Sequence, residues 1–361
     1  MTLRYGIVGA GVAAAMHLEG IALLDDVELV GISAPDRPDA LAHDVGTRAF
    51  TDNAELLALG LDVVVICTPH RSHPALTIEA LAAGAHVLCE KPLAVEAREA
   101  DAMIAAADRA GRLLGVCFQQ RFRPVIAAAH ALVAEGRLGE LMRVSIVDPL
   151  YRPHAYYRSA GWRGTWEGEG GGVLMNQAPH TLDLLCHLAG PPAKVWGVSR
   201  RRVQPMETED TATALLEYAN GALGTLAVST TEPGVQRIEL VGDRGRIEIL
   251  GESIIFERFE PPISEHLPAA TGMFDQPRLV REEIVLPPGT GDHNAVHADF
   301  AAAVRAGTAP RVTARDALCS LELANAIVLS THTGEAVPLP VDRAAYATLL
   351  ADLRAGTITT P

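Results

Sequence analysis

The sequence predicts an α/β protein of two domains. The first carries a doubly wound parallel sheet, and the second is an α+β domain with a mainly antiparallel, open-faced sheet. Three observations point that way. Short apolar runs alternate with helix-like stretches up to Phe118, and a glycine-rich turn joins the first of those runs to the first helix. After Pro124 the pattern changes to alternating apolar and polar residues interrupted by tight-turn signals. A chain of 361 residues is also long for a single core.

Taken in order, Tyr5-Gly6-Ile7-Val8 is a short apolar strand followed by Gly9-Ala10-Gly11-Val12-Ala13-Ala14 and a helix over 16–24. In that setting Gly9 allows a tight turn, Gly11 allows close approach of a pyrophosphate, and Ala14 allows the helix to pack on the strand. Gly9, Gly11, Val12, Ala13 and Ala14 are therefore candidates to hold a dinucleotide. A second strand over 27–33 ends at Ser33-Ala34-Pro35-Asp36-Arg37. NAD favours a carboxylate at that end for its ribose hydroxyls, and Ala34 stands there instead. Ser33 and Arg37 offer a hydroxyl and a counter-charge for a 2′-phosphate, so the expected cofactor is NAD(P), leaning to NADP. Asp36 can serve the ribose if the loop folds back.

Strands over 63–67, 86–89 and 113–118 alternate with helices over 74–83 and 95–110, and Gly84 and Gly111 fall where left-handed caps are wanted. Pro92 cannot continue a ladder, so it ends the strand leading into Glu90-Lys91. Lys91 is then held at the carboxyl end of a parallel strand, where side chains project into the ligand crevice.

The domains divide as 1–122 and 123–361. A helix follows Pro124 to about residue 135, then strands over 141–147, 193–200, 211–218, 222–229 and 236–241, with turns at Asn220-Gly221 and Asp243-Arg244-Gly245. The proline-rich stretch 260–278 predicts an irregular excursion. Asn176, His180 and Asp183, spaced by four and three, share one face if that stretch is helical. Arg121 and Arg123 suit either substrate hydroxyls or carboxylates, or an ion pair between domains. His293 and His297 have the spacing of a helical zinc pair, but with no third ligand evident they read as surface or packing residues, and no metal is expected.

Composition excludes several classes. A formal charge of -14 disfavours nucleic acid and anionic membranes, and no apolar run is long enough to span a bilayer. The five cysteines are scattered and odd in number, as buried free thiols are. Met1-Thr2-Leu3-Arg4-Tyr5 leads straight into the first apolar strand pattern, with no room for a secretory-type segment, so a cytoplasmic location is expected.

Three segments together resemble the Gfo/Idh/MocA family of oxidoreductases. They are Gly9 to Ala14, Cys67-Thr68-Pro69-His70-Arg71-Ser72-His73, which is similar to the family's T-P-x-x-x-H turn, and Glu90-Lys91-Pro92, its E-K-P signature. The resemblance continues through Gln120 to Pro124, Trp162-Arg163, Gly170-Gly171-Gly172 to Asp183, and the stretch from Asp299 to Pro340. It implies a Rossmann domain, an NAD(P)-dependent hydride transfer to or from a secondary alcohol of a sugar, sugar derivative or cyclitol, and a homodimer or homotetramer formed through the open sheet.

By the same resemblance Cys67, Thr68, Pro69, His73, Glu90, Lys91, Trp162 and Arg163 lie near the nicotinamide, and Lys91 and His180 are the acid–base pair. Asn176, Asp183, Arg121 and Arg123 are left for the substrate. The family commonly has aspartate where this chain has Asn176, whose amide orients a hydroxyl but takes no proton. Two other activities use related residues. An NAD-dependent glycosidase oxidises a ring carbon transiently, and a cofactor-binding sensor dispenses with the acid–base residues. Lys91 and His180 speak against the sensor; Asn176 keeps it open.

Overall fold

The computed structural model describes residues 2–35 and 38–361, so Asp36 and the expected phosphate partner Arg37 lie outside the described residues. The chain forms two compact units. The first comprises Met1–Phe122, Glu167–Gly170 and Thr290–Leu321, and the second comprises Arg123–Trp166, Gly171–Gly289 and Glu322–Pro361.

In the first unit the order is β1 (Leu3–Val8), α1 (Val12–Ile21), β2 (Val27–Ser33), α2 (Pro38–Asp44), β3 (Arg48–Phe50), α3 (Asn53–Leu57), β4 (Val63–Ile66), α4 (His73–Ala82), β5 (His86–Cys89), α5 (Ala97–Ala110) and β6 (Leu114–Val116). The strands lie in the order β3-β2-β1-β4-β5-β6, all parallel. Every residue of β4 is buried, as a strand covered on both faces requires. The order reverses between β1 and β4, which puts the ends of β1, β4 and β5 beside the crevice that such sheets offer to ligands.

The unit is completed by a segment far along the chain. The sequence pattern keeps all of 123–361 together, whereas Thr290–Leu321 packs with the first unit. Two glycines allow it. A Cβ at Gly20 would sit 2.9 Å from the backbone nitrogen of Asn294, and one at Gly115 would sit 2.7 Å from the Phe300 ring. Asn294 Nδ2 also donates to the Gly20 carbonyl at 3.0 Å, and Gly115 bridges to Thr313.

The second unit contains α6 (Pro124–Ala134), β7 (Leu141–Pro149), α7 (His154–Arg158), α8 (Pro179–Ala189), β8 (Lys194–Arg200), β9 (Thr211–Glu217), β10 (Leu223–Ser229), β11 (Arg237–Gly242), β12 (Gly245–Leu250), β13 (Ser253–Glu260), α9 (Ile263–Ala269) and β14 (Arg278–Glu282). After α10 (His293–Ala306), which belongs to the first unit, come α11 (Ala314–Thr333), which carries the boundary between the units, β15 (Val337–Pro338) and α12 (Arg343–Arg354). The nine strands run β14-β13-β12-β11-β7-β10-β9-β8-β15, antiparallel except for the β7–β10 pair.

On β8 the odd-numbered Val195, Gly197 and Ser199 are buried while Trp196 and Val198 are exposed, the alternation of a sheet with one open face. Leu215 lies opposite Trp196 on that face. The stretch 260–278 is not wholly irregular, since it holds α9. No residue of α9 is buried, so it has no apolar stripe to announce it. Strands β12 to β14 extend the sheet beyond the runs legible in sequence. They are rich in charge because Arg246 pairs with Glu257 at 2.5 Å and Arg258 with Glu282 at 2.9 Å across neighbouring strands.

All five cysteines are free, with Cys67, Cys89 and Cys117 buried and Cys186 and Cys319 partly exposed. Among the described residues no helix is long and apolar enough to cross a membrane.

Candidate cofactor and active site

The turn after β1 is built around two glycines with different reasons to be there. Gly9 has φ 116°, and a Cβ on it would lie 2.6 Å from the Cys67 carbonyl oxygen, so the chain's own packing demands glycine. Gly11 is exposed, and a Cβ on it would meet nothing within 4 Å among the described residues. Its missing side chain therefore leaves room for something outside the chain. Helix α1 begins there without a side-chain cap and without an acidic residue in its first turn. The first amides, among them those of Val12 and Ala13, remain to meet an anion such as a pyrophosphate. Ala14 is fully buried. Ser33 is fully buried too, and its hydroxyl donates to Asn53 Oδ1 at 2.7 Å, within the unit.

At the end of β4 the Cys67 Sγ donates to the Val8 carbonyl at 3.4 Å, and burial pushes its thiol well up, which suits a packing role. Thr68 is half-buried and Pro69 exposed. His73 is completely buried, with Nδ1 2.8 Å from the Pro92 carbonyl oxygen and Nε2 2.8 Å from that of Thr68. Burial lowers its pKa, and the two carbonyls oppose that shift. The imidazole thus ties the loop after β4 to the loop after β5, which carries Lys91. We predict that His73→Leu, which removes the one N–H that a neutral imidazole offers to these carbonyls, destabilises the protein by about 1–3 kcal/mol. Urea unfolding reads this directly, and an unchanged midpoint would mean that the imidazole is not the tie.

Lys91 is half-buried and joined to Pro92 by a cis peptide bond. Its backbone N–H donates to Glu90 Oε2 at 2.9 Å. The Glu90 carboxylate itself meets His17 Nε2 at 3.0 Å and His293 Nε2 at 3.4 Å. Burial alone would raise that carboxyl, but the hydrogen bonds from the two histidines and the nearby charges of His17 and Lys91 hold it well below the usual carboxylate range.

In the second unit a π-helical turn, Val173–Gln177, leads into α8. Such turns recur at functional sites. Buried Glu209 fastens it, since Oε1 accepts from the Gly172 and Leu174 amides at 2.9 and 3.0 Å and its carbonyl accepts from Val173 at 2.8 Å. Asn176, on that turn, is buried and donates through Nδ2 to the Tyr156 hydroxyl at 3.0 Å. Arg163 donates to the same hydroxyl, its guanidinium lying 4.1 Å from the Tyr156 ring centre and 4.6 Å from that of Trp162. His180 and Asp183 follow in α8, both buried.

Arg121 and Arg123 have different settings. Arg121 is buried in the first unit. Arg123 opens α6 and binds Glu252 at 3.0 Å, Gln236 at 2.9 Å and the Gly251 carbonyl at 2.6 Å, all within the second unit. Three residues the sequence pattern did not single out shape these sites, namely His17, Tyr156 and Glu209. Tyr156 had a signal, because it belongs to a Tyr151–Tyr157 cluster in a chain with only 4% aromatic residues.

Two family descriptions match the chain. Residues 3–118 match the oxidoreductase family with an NAD-binding Rossmann fold, and residues 126–248 match the GFO/IDH/MocA C-terminal domain. Inositol 2-dehydrogenase of Rhizobium meliloti is 26% identical over 91% of this chain and 97% of its own length. D-glucoside 3-dehydrogenase of Escherichia coli is 31% identical over 67% of this chain and 75% of its own. Among solved structures, the WlbA dehydrogenase of Bordetella pertussis, in complex with NADH and UDP-GlcNAcA, aligns with a TM-score of 0.80 at 30% identity. That alignment covers 95% of this chain and 100% of the WlbA chain.

Proposed function

The chain belongs to the GFO/IDH/MocA oxidoreductase family, and from that premise we propose that it acts reversibly on a secondary alcohol of a sugar, sugar derivative or cyclitol. The observation that carries the reading is Gly11, whose side-chain space none of the described residues uses, in the same unit as Lys91 at the end of β5. A bound nicotinamide supplies the hydride acceptor or donor. Lys91 hydrogen-bonds the reacting oxygen. His180 takes the hydroxyl proton in oxidation and returns it in reduction. Asn176, oriented by Tyr156, holds a substrate hydroxyl without taking a proton.

Asp183 and Arg121 complete the substrate contacts, while Arg123, committed to Glu252, Gln236 and Gly251, belongs to the frame. The substrate class draws support from three of the relatives, whose names give an inositol, a glucoside and a bound UDP-sugar. Self-association falls to the open sheet face around Trp196, Val198 and Leu215.

The test is a panel of polyols, aldoses and glycosides offered with NAD and with NADP, followed by nicotinamide absorbance. Net cofactor reduction on a polyol or sugar is expected. Glycoside cleavage without net cofactor change would replace the reading with transient oxidation, and cofactor binding with no turnover on any member would replace it with a sensor.

For the cofactor we favour NADP, on the missing carboxylate at Ala34 and the cation Arg37. A charge-assisted pair to a partly exposed phosphate contributes about 1.5–3 kcal/mol, a preference of roughly tenfold to a hundredfold. Arg37→Ala is expected to weaken NADP binding by that factor and to leave NAD binding nearly unchanged. Titration of both cofactors decides it; a wild type that prefers NAD would give the ribose to Asp36.

A further inference from the structure

We propose that His17, Glu90, Cys117 and His293 form a closed site for zinc in the first unit. The four come from α1, the residue after β5, the residue after β6 and the first residue of α10. One ligand atom from each lies within 4.8 Å of all the others. His17, Glu90 and Cys117 are buried, and the His293 side chain is only 11% exposed.

The spacing suits the ion. Nitrogen and oxygen donors about 2.0–2.1 Å from a tetrahedral zinc stand about 3.3 Å from one another. The Glu90 Oε1 atom is 3.0 Å from His17 Nε2 and 3.4 Å from His293 Nε2, on either side of that value. The two imidazoles meet edge-on at 86°, which lets both Nε2 atoms point to one place.

Charge and donor type agree with the spacing. A thiolate and a carboxylate carry the two negative charges that neutralise a divalent cation, so the loaded site adds no net charge to the interior. Zinc displaces the Cys117 thiol proton to solvent in binding. One sulfur, two imidazole nitrogens and one carboxylate oxygen are zinc's usual partners, whereas calcium and magnesium take oxygen.

An outer layer is in place as well. With His17 bound through Nε2, its Nδ1–H donates to His297 Nε2, 2.9 Å away, and the Lys91 amide holds the second Glu90 oxygen at 2.9 Å. The histidines spaced by four on α10 therefore divide their work. His293 is a ligand, and fully buried His297 orients one. Four protein ligands leave no position for substrate, so the ion would be structural, fastening α10 to α1 and to the ends of β5 and β6.

The reading does not depend on the alcohol chemistry, and its test needs no substrate. The full-length protein is stripped with a chelator and titrated separately with zinc and with cobalt. We expect uptake of about one ion per chain and, for cobalt, the absorption of a thiolate-to-metal charge transfer. Cys117→Ser should abolish that absorption. His293→Ala should weaken zinc binding by more than about a hundredfold, beyond the effect of losing an outer partner. No zinc uptake by the wild type, a cobalt form without the sulfur band, or variants that bind zinc as tightly as the wild type would each overturn the site. If either variant fails to fold, the wild-type cobalt spectrum decides alone.

Discussion

Lys91→Met and His180→Ala are each expected to leave dinucleotide affinity nearly unchanged and to lower turnover by about two to four orders of magnitude. The split follows from where the residues sit. The pyrophosphate, which anchors the dinucleotide, would be held by the turn from Gly9 to Ala14 and the first amides of α1, to which neither residue contributes, and Lys91 would meet only the nicotinamide end. Lys91 stands at the end of a different strand, fixed from behind by the Glu90 carboxylate and by the tie from His73 to Pro92. His180 opens α8 after a turn that buried Glu209 clamps. Each is held by groups that do no chemistry themselves, as an acid or base must be if geometry is to supply rate. Cofactor titration gives the affinity, and saturating kinetics on a substrate found by the panel give kcat. A variant with near wild-type kcat would lose its assigned role, and one with much weaker cofactor binding would belong to the dinucleotide site instead.

The largest expected effect on stability comes from Gly172→Ala. A Cβ there would lie 1.9 Å from the Glu209 carbonyl oxygen and 2.8 Å from both its carbonyl carbon and Thr208 Oγ1. The closest of these is backbone, so no side-chain rotation relieves the clash. The turn must move, and the amide bonds from Gly172 and Leu174 to Glu209 go with it. Overpacking and the loss of two buried hydrogen bonds together cost about 3–5 kcal/mol. Because the displaced turn carries Asn176 and feeds His180, activity should fall as well. Gly161→Ala is the control: a Cβ there meets nothing within 4 Å, and its effect should stay within about 0.5 kcal/mol. Equal urea midpoints for the two variants would show that the turn yields without cost.

What the sequence made legible was whatever is encoded locally. The parallel sheet showed itself because both faces of β1, β4 and β5 are covered, giving apolar runs, and the dinucleotide turn because strand, glycines and helix are contiguous. Long-range partners were not legible. Nothing near His293 announces His17, and nothing near Gly172 announces Glu209, because those pairs form only once the topology is set. Strands β12 and β13 were not singled out, because the partners of charged residues such as Arg246 and Glu257 lie across neighbouring strands. Alanine in place of a carboxylate at position 34 was legible, but the engagement of the Ser33 hydroxyl by Asn53 was not.

The return of Thr290–Leu321 to the first unit sets the timing of biosynthesis. A nascent chain usually folds its amino-terminal domain as soon as that domain leaves the ribosome. Here the seat on α1 at Gly20 and the seat beside β6 at Gly115 stay uncovered until Asn294 and Phe300 have been translated, after every strand from β7 to β14. The first unit is begun first and finished late, so a message broken between residues 122 and 290 releases a dinucleotide sheet with exposed apolar flanks, a substrate for chaperones and proteases rather than a working half-enzyme.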